Sequence, residues 1–307
     1  MKRVRTILCM VLALVIAVSA VSPYALGCSR FTRKAHTYSV PAELQTELEK
    51  IYKRYNFSIG WGLYDISGSS LKEVASYHVD NSFQSNCTIK AVMLMYICQL
   101  MDAGKLSLST KMKVDLSKLH YQKFGSSGSY TVEYLLKRMI HVSNNVCYEV
   151  FLRYVGRETF NEYLKNLGSS TVIQSYNYMG NCRPCDRATE WFAIYNYCHS
   201  RAKHSAHAWN LLCEAKFSPI RDGIGRPAAH KSGWYYKKGT CGTAGDCAVV
   251  QTDNGGCYLM IVFTHNNEHG NYSEKLIREI AVTLDKVWDD YYLSMPRIRR
   301  KTTAFTT

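Results

Sequence analysis

Apolar positions along the chain fall into blocks with two different periods, and the periods predict elements of both kinds. Leu44, Leu48, Ile51 and Tyr55 recur at helical spacing after a proline and predict an amphipathic helix over "PAELQTELEKIYKRY". Two aromatic and β-branched runs, "FSIGWGLYDIS" and "LKEVASYHV", are separated by "GSS" and predict a hairpin. From Cys87 to about Ala103 polar positions nearly vanish and Gly104 closes the run, which predicts a buried central helix with a glycine stop. "TVEYLLKRMIHVSNNVCYEVFLRYVGRETFNEYLKNLG" keeps helical periodicity, breaks at "SNN" and closes at Gly156 and Gly168, so it predicts helices joined by tight turns. Pro184 opens another helix in "RPCDRATEWFAIYNYCH". Three strand-like runs follow, "AAHKSGWYY", "GDCAVVQT" and "GGCYLMIVFTHN", and then a long helix from about residue 273 to 291. Helices thus interrupt one antiparallel sheet built from both ends of the chain, an α+β arrangement without internal repeat or low-complexity linker.

At 307 residues, 47% of them hydrophobic, the chain can bury a large core, and residues 36–296 read as one domain. Residues 1–27 read as an export signal: a cationic start, twelve apolar residues from Ile7 to Val18, and small residues suited to cleavage after Ala20. "ALGC" resembles a bacterial lipobox and offers Cys28 as a lipid attachment point, with free secretion as the alternative. The apolar run is short of the ~20 residues needed to span a bilayer. The expected location is therefore extracytoplasmic, secreted or anchored to the cell envelope. Residues 297–307 form a basic tail. The 38 Lys and Arg against 24 Asp and Glu give a formal charge of +14, which favours anionic partners such as an acidic cell wall. The positive charge is scattered, without a basic stripe interleaved with aromatics, which argues against nucleic acid.

Twelve cysteines in an exported chain suggest disulfides. With Cys9 removed and Cys28 and Cys87 set aside, nine remain, an odd number, so at least one stays unpaired. Cys182 and Cys185 in "NCRPCD" have a metal-ligand spacing with Cys198 and His199 beyond, but no second matching half. A local disulfide or buried thiols explain them better, and no metal or organic cofactor is expected.

Cys87 opens a helix, where the dipole favours a thiolate, and Lys90 faces it three residues on. The lysine helps either as an ammonium or, desolvated, as a neutral proton acceptor. The ordinary alternative is a buried cysteine beside a lysine that snorkels to the surface. Two later motifs bear on the choice: Ser143-Asn144-Asn145 between helices and Lys231-Ser232-Gly233 at a strand start. Each has an ordinary reading too, an N-cap for Ser143 and a strand-edge glycine for Gly233.

In that order, C-T-I-K, S-N-N and K-S-G, the chain resembles the class A β-lactamases and penicillin-binding proteins, whose triple is S-x-x-K, S-D-N and K-T-G. "CTIKAVMLMYICQLMDAGKLSLSTKMKV" resembles their nucleophile helix and "TVEYLLKRMIHVSNN" the approach to their second motif, and the likeness runs over roughly residues 40–293. The resemblance implies their fold, a sheet-and-helix part and an all-α part meeting at a cleft. It implies that Cys87 stands at the nucleophile's position and Lys90 at the general base's. Ser143 would relay a proton to the leaving nitrogen, Asn145 would hold substrate, and Lys231 and Ser232 would grip its carboxylate. Backbone N–H groups of Cys87 and Trp234 would form the oxyanion hole, and Gly233 would let substrate approach the strand.

Two departures matter. Cysteine replaces serine, so attack yields a thioester. The glutamate that class A enzymes carry on a loop after the second motif has no counterpart between Gly168 and Asp186, and Asp186 itself is accounted for by its helix start. The expectation is an exported, monomeric acyl-transfer hydrolase that acts on β-lactams or on D-Ala-D-Ala peptidoglycan stems through an acyl-enzyme on Cys87. Two alternatives are a degenerate relative that only binds such ligands and a cysteine peptidase pairing Cys87 with His230 or His141.

Overall fold

A computed structural model describes residues 38–55, 57–237, 240–253, 256–265 and 272–295. The expected export signal, Cys28 and the basic tail lie outside the described residues.

Helix α1 (Ala42–Tyr55) leads into a hairpin of β1 (Ser58–Asp65) and β2 (Lys72–Tyr77). Strand β3 (Phe83–Gln84), a 3₁₀ turn (Asn86–Ile89) and α2 (Lys90–Asp102) follow, then a second hairpin of β4 (Lys111–Val114) and β5 (Gly128–Thr131). The all-α part continues with α3 (Val132–His141), α4 (Asn145–Val155) and α5 (Arg157–Asn166). After a loop come β6 (Asn181–Cys182), α6 (Pro184–Cys198), α7 (Ser205–Cys213) and α8 (Pro219–Ile224). Strands β7 (Ala228–Lys237), β8 (Thr240–Gln251) and β9 (Cys257–His265) return to the sheet, and α9 (Tyr272–Ser294) covers it.

The sheet order is β2-β1-β9-β8-β7 with every neighbour antiparallel, so both ends of the chain build one α+β sheet, as the pattern predicts. Central β9 is a continuous apolar run because both of its faces are covered. Its residues alternate between two cores: Cys257, Leu259, Ile261 and Phe263 face the helical part, while Tyr258, Met260 and Val262 face α1 and α9.

Helix α2 lies at the centre of the helical part, with Ala91, Val92, Met93, Leu94, Met95, Ile97 and Cys98 at most 1% exposed. It stops where expected: Gly104 takes φ +70°, its N–H donates to Met101 O at 3.0 Å, and Lys105 N–H donates to Leu100 O at 2.9 Å. Pattern reading misses the β4–β5 hairpin, α7 and α8. Two four-residue strands and a six-residue helix are too short to express a period. No helix among the described residues is long and apolar enough to cross a membrane.

Candidate active site

Edge strand β7 packs against the 3₁₀ turn that carries Cys87. Gly233 is the point of closest approach: a Cβ there would overlap the backbone nitrogen of Cys87 and lie 2.9 Å from its Cα. The glycine thus admits the turn that carries Cys87, a demand made by the protein itself and additional to any room for substrate. Two non-glycine residues beside the thiol sit in the left-handed region, Asn86 (φ +47°) and Ser143 (φ +56°). Each conformation costs about 1–2 kcal/mol and persists because contacts fix it. Asn86 Nδ2 donates to Thr243 Oγ1 at 2.9 Å. The helix cap beside Ser143 is its neighbour Asn144, whose Oδ1 accepts Cys147 N–H at 3.1 Å. The N-cap reading of Ser143 therefore fails, and its side chain turns towards Lys90.

Lys90 is fully buried, which overturns the snorkelling alternative. Its Nζ lies 2.5 Å from Ser143 O, 2.5 Å from Asn145 Oδ1, 3.2 Å from Cys87 Sγ and 3.3 Å from Ser143 Oγ. An ammonium has three hydrogens to place, and the two oxygens and the sulfur take them. Burial pushes the Cys87 thiol up, but Lys90, Lys231 and the Ser143 hydroxyl outweigh it and leave the pKa below the ordinary thiol value. Burial pushes Lys90 down, and the thiolate restores only part of its proton affinity. The pair titrates as a unit. The three acceptors around Nζ favour its ammonium form. When the sulfur holds a proton instead, Asn145 Oδ1 accepts it at 3.6 Å.

Lys231 and Ser232 are buried on β7. Lys231 Nζ donates to Ser232 O at 2.7 Å, and Ser232 Oγ donates to Phe217 O at 2.6 Å. Burial lowers Lys231 to about 8, partly opposed by Cys87. Opposite Ser232 on β8 stands Asp246, which accepts from Ser218 Oγ at 2.6 Å and from the N–H groups of Ile220 and Cys247 at 3.0 Å each. Burial raises it to about 7. Arg221, behind the same strand, donates to Ala215 O, Lys216 O, Asp222 Oδ1 and His230 Nε2. Its guanidinium is thereby committed, which leaves Lys231 and Ser232 as the polar side chains of this part of β7. The two histidines of the peptidase alternative are engaged elsewhere, His230 with Arg221 at 3.1 Å and His141 with Glu214 at 3.0 Å. Trp234, the other expected oxyanion donor, stands on β7 with its ring edge-on to Phe217, centroids 5.9 Å apart.

The loop over residues 168–186 is joined to the turn that carries Cys87 by the pairing of β6 with β3 and by Ser85 N–H donating to Gly180 O at 3.0 Å. Asp186 accepts from Ser170 N–H (3.0 Å) and Oγ (2.7 Å), from Arg183 N–H (3.2 Å) and from the Arg183 guanidinium (3.0 Å), so it serves as a clasp. Beneath it, fully buried Arg187 and Glu190 form an ion pair. Glu190 accepts from Ser169 Oγ at 2.6 Å, and Arg187 reaches Ser85 Oγ and, at 3.2 Å, Thr88 Oγ1. One pair therefore ties the loop to both flanks of Cys87.

Sequence reading missed this pair, and also the roof of the site. Buried Glu149, one turn beyond Asn145, accepts the N–H groups of His120 (2.9 Å) and Tyr121 (3.0 Å) and holds their loop down. The Tyr121 hydroxyl is raised to about 12, by burial first and then by the charge of Cys87 nearby. Tyr178, from the acid-free loop, stacks on His120 with centroids 5.1 Å apart and meets Tyr121 edge-on at 6.1 Å. A glutamate inside an otherwise apolar helix face was the one available signal.

Nine described cysteines are free thiols, Cys182 and Cys185 among them, so the local disulfide is corrected. Among the described residues no three His, Cys, Asp or Glu side chains gather as a metal site.

The family model described as "Beta-lactamase enzyme family" matches residues 43–288. Beta-lactamase BRO-1 of Moraxella catarrhalis is 27% identical over 144 residues, 43% of this chain; the chain spans 45% of the length of that relative. Among solved structures, PBP-A superposes with a TM-score of 0.69 at 18% identity, covering 82% of this chain and 100% of that one. TLA-1 extended spectrum beta-lactamase gives 0.71 at 17% identity, covering 81% and 99%. A beta-lactamase from Chitinophaga pinensis gives 0.68 at 16% identity, also covering 81% and 99%. At those identities the structural likeness establishes the fold.

Proposed function

The chain belongs to the beta-lactamase enzyme family, and from that premise we propose that it is an acyl-transfer hydrolase forming a covalent acyl-enzyme on Cys87. Its substrates are β-lactams or the D-Ala-D-Ala end of peptidoglycan stems. The observation that carries this reading is the Lys90 cage: one buried amine in contact with Cys87 Sγ, Ser143 and Asn145, beside the Lys231–Ser232 strand.

In this mechanism the Cys87 thiolate attacks the carbonyl, and the N–H groups of Cys87 and Trp234 receive the developing oxyanion. The substrate carboxylate lies against Lys231, with the Ser232 hydroxyl turning to it from Phe217 O. Acylation removes the sulfur's negative charge, which is what keeps Lys90 protonated against the pull of burial. Lys90 therefore gives up its proton at that step, through Ser143 to the leaving nitrogen, and is left neutral and basic. One variant of PBP-A forms an acyl-enzyme complex with penicillin G, which supports the β-lactam part of the reading. The cationic start and apolar run of residues 1–27 support export, Cys28 offers anchoring, and the net positive charge suits an acidic wall.

Intact mass measured after incubation with penicillin and with a D-Ala-D-Ala thioester analogue tests the proposal. A stoichiometric adduct is expected on the native chain and none on Cys87→Ala; an unmodified native protein under both donors refutes it.

A further inference from the structure

The formal charge of +14 is not spread evenly over the fold. Between Ala103 and Val132 stand five lysines, Lys105, Lys111, Lys113, Lys118 and Lys123, and one acid, Asp115. Cations elsewhere close on carboxylates: Arg54 on Glu279, Arg226 on Asp285 and Asp289, Lys286 on Glu47. Here Asp115 lies 3.9 Å from Lys118, accepts Ser117 Oγ at 2.7 Å and feels Lys113, and it is the whole supply of negative charge in the stretch. The β4–β5 hairpin gives the excess a shape. On β4 the pleat sends Met112 and Val114 into the core, and it turns Lys111 and Lys113 outward on one face, about 7 Å apart. Opposite them on β5 stand Thr131 and Ser129, so the paired strands carry ammonium groups and hydroxyls and no carboxylate. Lys118 and Lys123 continue the charge along the loop between the strands. That loop carries His120 and Tyr121 near Cys87, and Asn144 Nδ2 ties it down at Lys123 O. The basic face therefore borders the cleft.

Going beyond the acyl-enzyme reading and independently of it, we propose that the outer face of the β4–β5 hairpin docks a linear polymer of repeating phosphate charges. Three observations select that partner. The cations are all lysines, compact point charges without the guanidinium fork that grips one carboxylate at two places, and lysines spaced along a ribbon suit a row of phosphates. A membrane surface would ask for apolar side chains beside the cations. Among the described residues no large hydrophobic side chain from 103 to 131 is exposed. A nucleic acid would ask for open aromatic faces on which bases stack. The rings of this region are turned on one another, Phe124 edge-on to Tyr130 at 5.0 Å and Tyr130 stacked on Tyr134 at 5.3 Å. Tyr130 also alternates with Ser129 and Thr131 on β5 and so leaves the basic face. Docking is by charge alone, with no bond made or broken. A chain held in this way on an acidic wall carries its cleft beside the polymer that holds it.

The test titrates the full chain with long-chain inorganic polyphosphate at several salt concentrations and reads binding by fluorescence anisotropy. The double variant Lys111→Gln/Lys113→Gln should bind about tenfold more weakly, and its slope of log K against log salt should be shallower by about 1.4, as the loss of two phosphate contacts requires. A control double variant, Lys50→Gln/Lys53→Gln, removes the same charge from exposed positions on α1 and should bind within about twofold of the native chain, since it leaves every phosphate contact in place. Both variants should form the penicillin adduct at the native rate, which shows that they are folded and keeps this result apart from the acyl-enzyme reading. Equal losses in the two variants overturn the proposal, because net charge and not the hairpin then governs binding. Failure of the native chain to bind polyphosphate at low salt overturns it as well. Binding to phosphatidylglycerol vesicles without binding to polyphosphate overturns it in favour of a membrane.

Discussion

The two sides of Cys87 are built to different ends. On one side the start of α2, the Ser143 turn and β7 aim functional atoms at the sulfur: a caged amine, a hydroxyl and a second buried lysine. On the other, the loop over residues 168–186 aims none. Its carboxylate clasps its own backbone, the acid after it is paired with Arg187, and Tyr178 turns to the aromatic roof. Groups that face the sulfur thus stand beside a scaffold whose ionic groups are satisfied within itself. Residue types alone do not separate the two sides, since both contain buried ionic groups; what separates them is where those groups are satisfied.

Lys90→Met gives the largest effect on the first side. The apolar stem still fills the buried space, so folding survives, while the thiolate loses its counter-ion and the leaving group its proton source. Adduct formation, timed by intact mass, should slow by about 10²–10⁴-fold. If it slows less than tenfold, the amine is structural and the contrast dissolves.

On the second side the same kind of change should harm stability before chemistry. Glu190→Ala leaves Arg187 as an uncompensated charge in a fully buried place and removes the anchor of Ser169. A loss of about 3–5 kcal/mol is expected in urea unfolding. Asp186→Ala breaks a half-exposed clasp, since the Arg183 side chain is 40% exposed, and should cost less. A reversed order would mean that the loop is held by its surface and not by the pair beneath it.

What could be read from the sequence divides along the same line. The strands, the central helix and the order of the three motifs were legible, because long elements with a clear period and short motifs at fixed order are properties of the string. That Lys90 and Ser143 meet, 53 positions apart, follows only from the resemblance and the fold. Arg187 and Glu190 were illegible: an i, i+3 ionic pair in a helix ordinarily reads as a solvated face, and only the loop above makes it buried. A second demand on Gly233, room for the turn that carries Cys87, was illegible for a similar reason, because that neighbour is 146 positions away.

A smaller effect comes from pH. Burial first holds Lys231 down to about 8, so its ammonium is present below that pH and its charge falls tenfold for each unit above. Adduct formation with an anionic β-lactam should therefore decline by about tenfold per unit, some 1.4 kcal/mol, as pH rises beyond 8. An uncharged thioester donor should show no such decline, because its attack needs only the thiolate, which rising pH favours. A parallel decline with both donors would place the titrating group at Lys90 instead.

The smallest expected change falls on a residue that touches neither sulfur nor loop. Asn144 caps α4 through Cys147 N–H, and its Nδ2 donates to Lys123 O at 3.0 Å, in the segment that carries Tyr121. Asn144→Ala should cost about 1 kcal/mol of stability, as a lost cap does, readable as a small shift in Tm. It also releases the strain holding Ser143 at φ +56°, so the hydroxyl and carbonyl that face Lys90 lose their fixed aim. If the chemical side of Cys87 depends on pre-set geometry, adduct formation in this variant must fall by more than its stability loss accounts for. If it falls in proportion, Ser143 and Asn145 are held by Lys90 itself, and the cage is assembled from its centre outwards.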